Sequence, residues 1–246
     1  MAPEQFNGII KKIVLILVPT LIAIVAGNAR YGFAEPISLT ESEKIIERVY
    51  NKYIPIYDRY HGVESTSRNI TREYDPKTNV LKSTSEVLLS RKDFFYEKPE
   101  IKVLSYKING KDTDPSKFRS WESKPSLLAF DKKGRENYLL KVTEKKKINQ
   151  KECYRIEVIP KKATPLHFKG EIYCTVDTLD VVQTTGGVAD LEFPIKYFWS
   201  EFYYSLFQEI PVVQAGTMKI RINVPVIYPD TLIVTSTTIS ESRLIE

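Results

Sequence analysis

Met218-Lys219-Ile220-Arg221-Ile222-Asn223-Val224 alternates apolar and polar side chains without a break. Successive side chains of a strand point to opposite faces, so this period of two predicts a strand with one face buried and one in water. It is the clearest such pattern in the chain, and the rest of the sequence can be read outward from it. Downstream, Leu232 to Ser240 predicts a further strand that closes the domain. Upstream, Phe193 to Phe207 is the most aromatic segment, with Tyr197, Phe198, Trp199, Phe202, Tyr203 and Tyr204. Its composition favours a strand, although Phe198, Phe202 and Leu206 also fall at helical spacing. Gly186-Gly187 reads as a break between this segment and Val181 to Thr184.

Further upstream the strand signals continue. Tyr138 to Lys147 and Glu152 to Pro160 predict a hairpin around Ile148-Asn149-Gln150-Lys151, and Lys169 to Val176 pairs back after a loop with Pro165 and His167. Tyr154, Ile156 and Val158 point one way and Arg155 and Glu157 the other. Ser67 to Tyr74 and Val80 to Arg91 flank Asp75-Pro76-Lys77-Thr78-Asn79, a strong turn signal. Ile101 to Ile108 runs into Asn109-Gly110, a hairpin turn. With 15 Tyr and 11 Phe against 10 Gly, the chain is rich in strand formers.

One helix precedes the strands. Ser38 with Glu41, and Thr40 with Glu43, fit capping boxes. Ile45, Ile46, Val49, Tyr50 and Tyr53 then share a face, with Glu43, Lys44, Glu47 and Arg48 opposite, and Pro55 is read as its end. Residues 112–137 break the pattern. Asp114-Pro115 starts a helical turn, and Trp121, Pro125, Leu127, Leu128 and Phe130 form an apolar stretch without a period. It reads as a long loop, either a lid or binding element or an ordinary cover. The expected fold is β-rich α+β: an antiparallel open barrel or half-barrel with an N-terminal amphipathic helix and a helix or loop cover.

The N-terminus reads as an export signal. Lys11 and Lys12 form a basic flank, Ile13 to Gly27 an apolar stretch broken by Pro19 and Thr20, and Gly32-Phe33-Ala34 a small-residue cleavage site. A cut after Ala34 is expected, which makes residues 1–34 a signal peptide and 35–246 a single domain. Gly27-Asn28-Ala29 is a second cleavage site, and an uncleaved anchor is the alternative. The apolar stretch is shorter than the roughly 20 residues of a spanning helix, and nothing after residue 34 is long and apolar enough to span. No cysteine lies in the cleavage region, so no lipid-modified cysteine is expected there. The expected location is periplasmic.

The net charge is +5, and removing Lys11, Lys12 and Arg30 with Glu4 leaves a mildly basic domain. Basic and acidic residues interleave, which speaks against nucleic acid. Lys145-Lys146-Lys147 reads as a solvated hairpin end. His61 and His167 are the only histidines, and Cys153 and Cys174 stand without a flanking histidine pair, so no metal ligand set is expected. Gly-x-Ser-x-Gly, phosphate-loop and dinucleotide motifs are absent. No cofactor is expected, and the domain reads as non-catalytic. His167 is expected to be solvated in its loop.

Cys153 and Cys174 lie on two neighbouring predicted strands. A pairing whose residue numbers sum to 327 sets the thiols face to face. An even sum groups Tyr154, Ile156 and Val158 with Ile172, Cys174 and Val176, and sends the thiols to opposite faces. Export tips the reading toward a disulfide, but the residues leave both registers open.

Cys153-Tyr154-Arg155-Ile156-Glu157-Val158-Ile159-Pro160-Lys161-Lys162, a short loop, and Gly170-Glu171-Ile172-Tyr173-Cys174-Thr175-Val176-Asp177-Thr178-Leu179-Asp180-Val181-Val182 resemble the central hairpin of outer-membrane lipoprotein-sorting (LolA-like) proteins. The resemblance covers the middle third of the chain, and the rest matches in layout. It implies an open β-barrel around an apolar cavity that holds lipid or lipoprotein acyl chains. The 112–137 and 193–207 stretches are not obvious parts of that family's carrier, so a lipid-handling relative is the reading adopted. Phe198, Trp199, Phe202 and Tyr203, with Met218, Ile220 and Ile222, are the candidate cavity-lining residues. The competing reading is an envelope interaction or scaffold protein with a filled core and a protein partner.

Overall fold

The computed structural model describes residues 37–118, 129–224 and 228–245. The expected signal segment with its cleavage site, and Trp121, Pro125, Leu127 and Leu128 of the long loop, lie outside these residues. Helix α1 spans Leu39–Arg59. The strands are β1 (Gly62–Tyr74), β2 (Leu81–Phe94), β3 (Glu100–Ile108), β4 (Lys111–Asp112), β5 (Tyr138–Ile148), β6 (Lys151–Pro160), β7 (Phe168–Thr175), β8 (Val181–Val188), β9 (Ile195–Phe207), β10 (Ile210–Val224) and β11 (Tyr228–Ile245). They form one sheet in the order β4-β3-β2-β1-β11-β10-β9-β8-β7-β6-β5, so the first long strand lies beside the last. Each pairing is antiparallel. The sheet is open, with β4 and β5 as its edges.

Ser38 starts α1 as expected, its hydroxyl accepting from the Glu41 amide at 3.2 Å. The helix does not end at Pro55. It runs four residues further, to Arg59, where the Tyr60 amide donates to the Ile56 carbonyl. Proline removes the hydrogen bond its own amide would have made and crowds the carbonyl four residues earlier, a local cost that tertiary burial can offset. Burial of Ile56 and Tyr57 extends the apolar face of the earlier turns past that point. That face shares one core with Val142, Tyr154, Ile156, Val158, Ile172, Cys174 and Val181 of β5–β8 and with Ile210 and Val212 of β10. Ser42 fastens it by accepting the Val142 amide hydrogen bond at 2.8 Å.

The long loop carries a 3-10 turn, Pro115–Lys117, capped by Asp114 as its sequence predicts. It ends in a short unforeseen helix, α2 (Lys132–Asn137), capped by Asp131. Phe130, just before α2, stacks on Tyr53 at 5.5 Å in the helix-packed core.

Gly186 and Gly187 do not break the chain but lie inside β8. Gly186 pairs with Gly170 of β7 and has φ +150°. A Cβ on Gly170 would meet the Gly186 Cα at 2.7 Å and the Phe168 ring at 2.8 Å. The glycines are there because two backbones and an aromatic ring share this space.

Candidate functional site

The register defines which side chains share the face that α1 covers. Val142, Ile156, Ile172, Thr184, Phe202, Gly216, Thr237, Asn69, Val87 and Tyr106 are successive partners across ten strands. A second row runs Leu140, Val158, Gly170, Gly186, Ser200, Met218, Thr235, Thr71, Ser85 and Ile108. Partners in register point the same way, so both rows lie on this inner face. Val142, Ile156, Val158 and Ile172 belong to the core under α1, whereas Phe202, Met218, Thr235, Thr71 and Val87 lie outside it. The inner face therefore continues well beyond the helix, and neither row holds a charged side chain.

This second half combines aliphatic, aromatic and hydroxyl groups. Phe198 and Ile220 are partners in the next row, and Ile222 follows on the same face of β10. Thr237 donates to Asn69 at 2.7 Å, Thr71 and Thr235 share a hydrogen bond of 3.0 Å, and the Asn69 amide donates to Ser67 at 3.3 Å. These side chains satisfy one another laterally, so the surface presents little unpaired polarity. The Phe202 ring lies across Gly216, where a Cβ would come within 2.1 Å of it.

The aromatic segment is strand β9, and its alternation divides the candidate lining residues. Phe198, Phe202, Met218, Ile220 and Ile222 are brought together on the inner face. Trp199 and Tyr203 are on the outer face. Adjacent residues of a strand cannot line one wall. Trp199 instead pairs with Lys219, whose ammonium sits 5.2 Å from the indole, and Tyr203 pairs with Ala215 and Gln183. Sequence reasoning missed Val87, Thr71, Asn69, Thr235 and Thr237 as members of this wall. The alternation within β1, β2 and β11 was readable, but not the adjacency of the first and last strands.

The disulfide expectation is corrected. Tyr154 pairs with Cys174 and Cys153 with Thr175, the even register. Both thiols are free and buried, Cys174 in the core under α1 and Cys153 on the outer face. Burial pushes the Cys174 thiol well above its ordinary pKa, which leaves it protonated and inert. His167 is also corrected: it is buried, its Nδ1 2.6 Å from the Thr164 hydroxyl and its ring edge-on to Tyr138.

Charged groups gather where α1 meets the turn between β7 and β8. Lys52 binds the Asp180 carboxylate and the Thr178 carbonyl. Beside it, the Tyr53 hydroxyl donates to the Leu179 carbonyl and accepts from the Val181 amide, at 3.1 and 3.0 Å. Burial drives the Tyr53 phenol far above its usual pKa. A groove of about 520 Å³ opens here, lined by Lys52, Pro55, Ile56, Arg59, Asp180, Leu206 and Glu209. Asp131 is buried among Tyr57, Tyr96 and Phe130, and desolvation raises its pKa against the hydrogen bonds it accepts from Gly134 and Tyr96. Among the described residues no group of three His, Cys, Asp or Glu side chains is placed to hold a metal ion, and no helix is long and apolar enough to cross a membrane.

No protein-family model matches the chain, and no curated protein matches it. Solved structures do. A LolA superfamily protein from Nitrosomonas europaea is similar with a TM-score of 0.42 and 10% identity, over 83% of this chain and 94% of that one. A DUF1329 family protein from Desulfovibrio piger gives 0.38 and 12%, over 81% and 92%. The MucA/MucB complex structure from Pseudomonas aeruginosa gives 0.24 and 9%, over 82% and 99%. These neighbours include the family that the 153–182 hairpin resembles.

Proposed function

We propose that this chain is an exported, non-catalytic protein of the bacterial cell envelope that holds acyl chains of a lipid or lipoprotein against the inner face of its sheet. Residues 1–34 are its signal peptide, cut after Ala34, and 35–246 its single working domain in the periplasm. The observation that carries this reading is the inner surface beyond α1, whose two central rows hold no charged side chain: Phe198, Phe202, Met218, Ile220 and Ile222 share it with Val87, and Glu73 enters only at the far end of the Phe198–Ile220 row. An acyl chain needs apolar contact and few polar groups, and hydroxyls already bonded to one another cost little to cover. The hairpin resemblance agrees with it. Protein purified from the envelope should carry lipid in native mass spectrometry and bind a fluorescent fatty acid. Consistently empty protein without affinity for that probe would sink the reading.

The compact core between α1 and β5–β8 favours a second reading, an envelope scaffold that binds a protein. That reading expects a stable crosslinked partner and no bound lipid.

A further inference from the structure

The two ends of the sheet differ in what their turns expose. At one end lie the β1–β2, β6–β7 and β8–β9 turns, as the register requires: Tyr74 partners Leu81 and Leu232, Phe168 partners Val188, and Ile195 partners Ile222. The Ala189 amide bonds the His167 carbonyl at 2.8 Å, which sets two of these turns side by side. Phe193 is 69% exposed there, Val80 58%, Leu81 49%, and Leu166 and Leu191 38% each. At the opposite end the turns hold Asn149-Gln150, Asp177-Thr178 and Gln208-Glu209, with Tyr96 and Leu206 as the exposed large apolar residues.

Turn tips are normally polar because they stand in water. Scattered apolar side chains on a surface need no explanation, but a set gathered at one end marks an interaction site. We infer that this end of the sheet docks on a lipid bilayer, the turn tips entering the headgroup and acyl boundary. From the β6–β7 turn to the β1–β2 turn the tips cross six strand spacings, roughly 30 Å of rim at about 4.8 Å each. Separate protruding side chains along such a rim suit a broad, fluid surface better than a shaped protein partner. Lys77, Lys162, Lys169 and Lys196 are exposed around them. The Lys196 ammonium stands 6.0 Å from the Phe193 ring. Asp190 and Glu192 are the exposed acids of the β8–β9 turn. Lysines beside apolar tips reach anionic headgroups while their stems stay with the tips. The opposite end has lysines too, at 145–147, but not the apolar tips.

Docking there would bring a carrier to the source of its cargo. In that sense the inference rests on the lipid-carrier reading, but its test is separate. The protein as isolated from the envelope is sedimented with vesicles of phosphatidylethanolamine and phosphatidylglycerol. Val80→Asp with Phe193→Asp should weaken vesicle binding about tenfold or more, as removal of buried apolar contacts does, with an unchanged thermal melt. Leu206→Asp at the other end should leave it unchanged. Lys162→Glu with Lys196→Glu should weaken binding to anionic vesicles alone. Binding that is equal in all variants, or lost equally with Leu206→Asp, overturns the inference, as does crosslinking of this rim to a protein with no vesicle association. Fatty-acid affinity is measured on the same variants: its absence removes the carrier reading while a selective loss of vesicle binding still upholds the docking surface.

Discussion

The two halves of the sheet are built from the same antiparallel ladder but use their inner faces differently. Under α1, the β5–β8 half presents Val142, Ile156, Val158 and Ile172, and the helix fills the space with Val49, Tyr50, Tyr53 and Tyr57. In the other half, β9, β10, β11, β1 and β2 carry Phe202, Met218, Thr235, Thr71, Asn69 and Val87 in the same rows, outside that core. The first half gives most of its inner face to the core under α1, to which the second adds Ile210 and Val212 of β10. The other carries a mixed surface on which Val87, Ile220 and Ile222 are buried, Phe202, Met218, Thr71 and Thr235 are half-buried, and Glu73 stands in the row of Phe198 and Ile220. One helix thus covers only part of a continuous face.

The sharpest test of this division is a paired truncation. Ile156→Ala should destabilise by about 3 kcal/mol, because it removes buried methylenes and leaves a cavity in a packed core. Met218→Ala should cost about 1 kcal/mol or less in the same urea titration. Equal losses would break the comparison. Gly186→Ala should cost about 3 kcal/mol, since a Cβ would lie 2.4 Å from the Lys169 carbonyl oxygen at a φ that alanine avoids. Tyr53→Phe should cost about 2 kcal/mol by leaving the Leu179 carbonyl and Val181 amide without their shared partner. Met218→Asp, on the open half, should abolish fatty-acid binding while shifting the urea midpoint little.

The smallest effect concerns pH. Burial raises the Asp131 pKa in the folded state, so this group favours folding most when protonated. Its contribution is fully present below the unfolded carboxylate value and is lost as pH rises through the folded one. The stability of the native chain relative to Asp131→Asn should therefore increase as pH is lowered from neutrality into the acid range. A difference independent of pH would show that the Asp131 pKa is the same folded and unfolded, and a difference that shrinks in acid would show that its helix-cap and Tyr96 hydrogen bonds outweigh its burial.

Local pattern made much of this legible. The Ser38 cap, the face from Ile45 to Tyr53, the Asn109-Gly110 turn and the alternation from Met218 onward all express short-range rules. Most of the misreadings share one cause: they turned on a neighbour in another segment of the chain. Pro55 reads as a stop until the burial of Ile56 and Tyr57 is known. Gly186-Gly187 reads as a break until Gly170 is placed across from it. Grouping Trp199 and Tyr203 with Phe198 and Phe202 followed composition, where strand parity separates them. His167 reads as solvated until Tyr138 is set against its ring.

The chain's periodicity by itself determined a capped helix followed by an antiparallel β-rich domain, since side-chain alternation and turn chemistry act within a few residues. Which strands adjoin, which parity of β6 and β7 holds the cysteines apart, and where the cover of α1 stops were decided only by tertiary structure. Those depend on contacts between separate segments, some a hundred or more residues apart, as between Thr71 and Thr235 or Ser42 and Val142, and no local pattern encodes them.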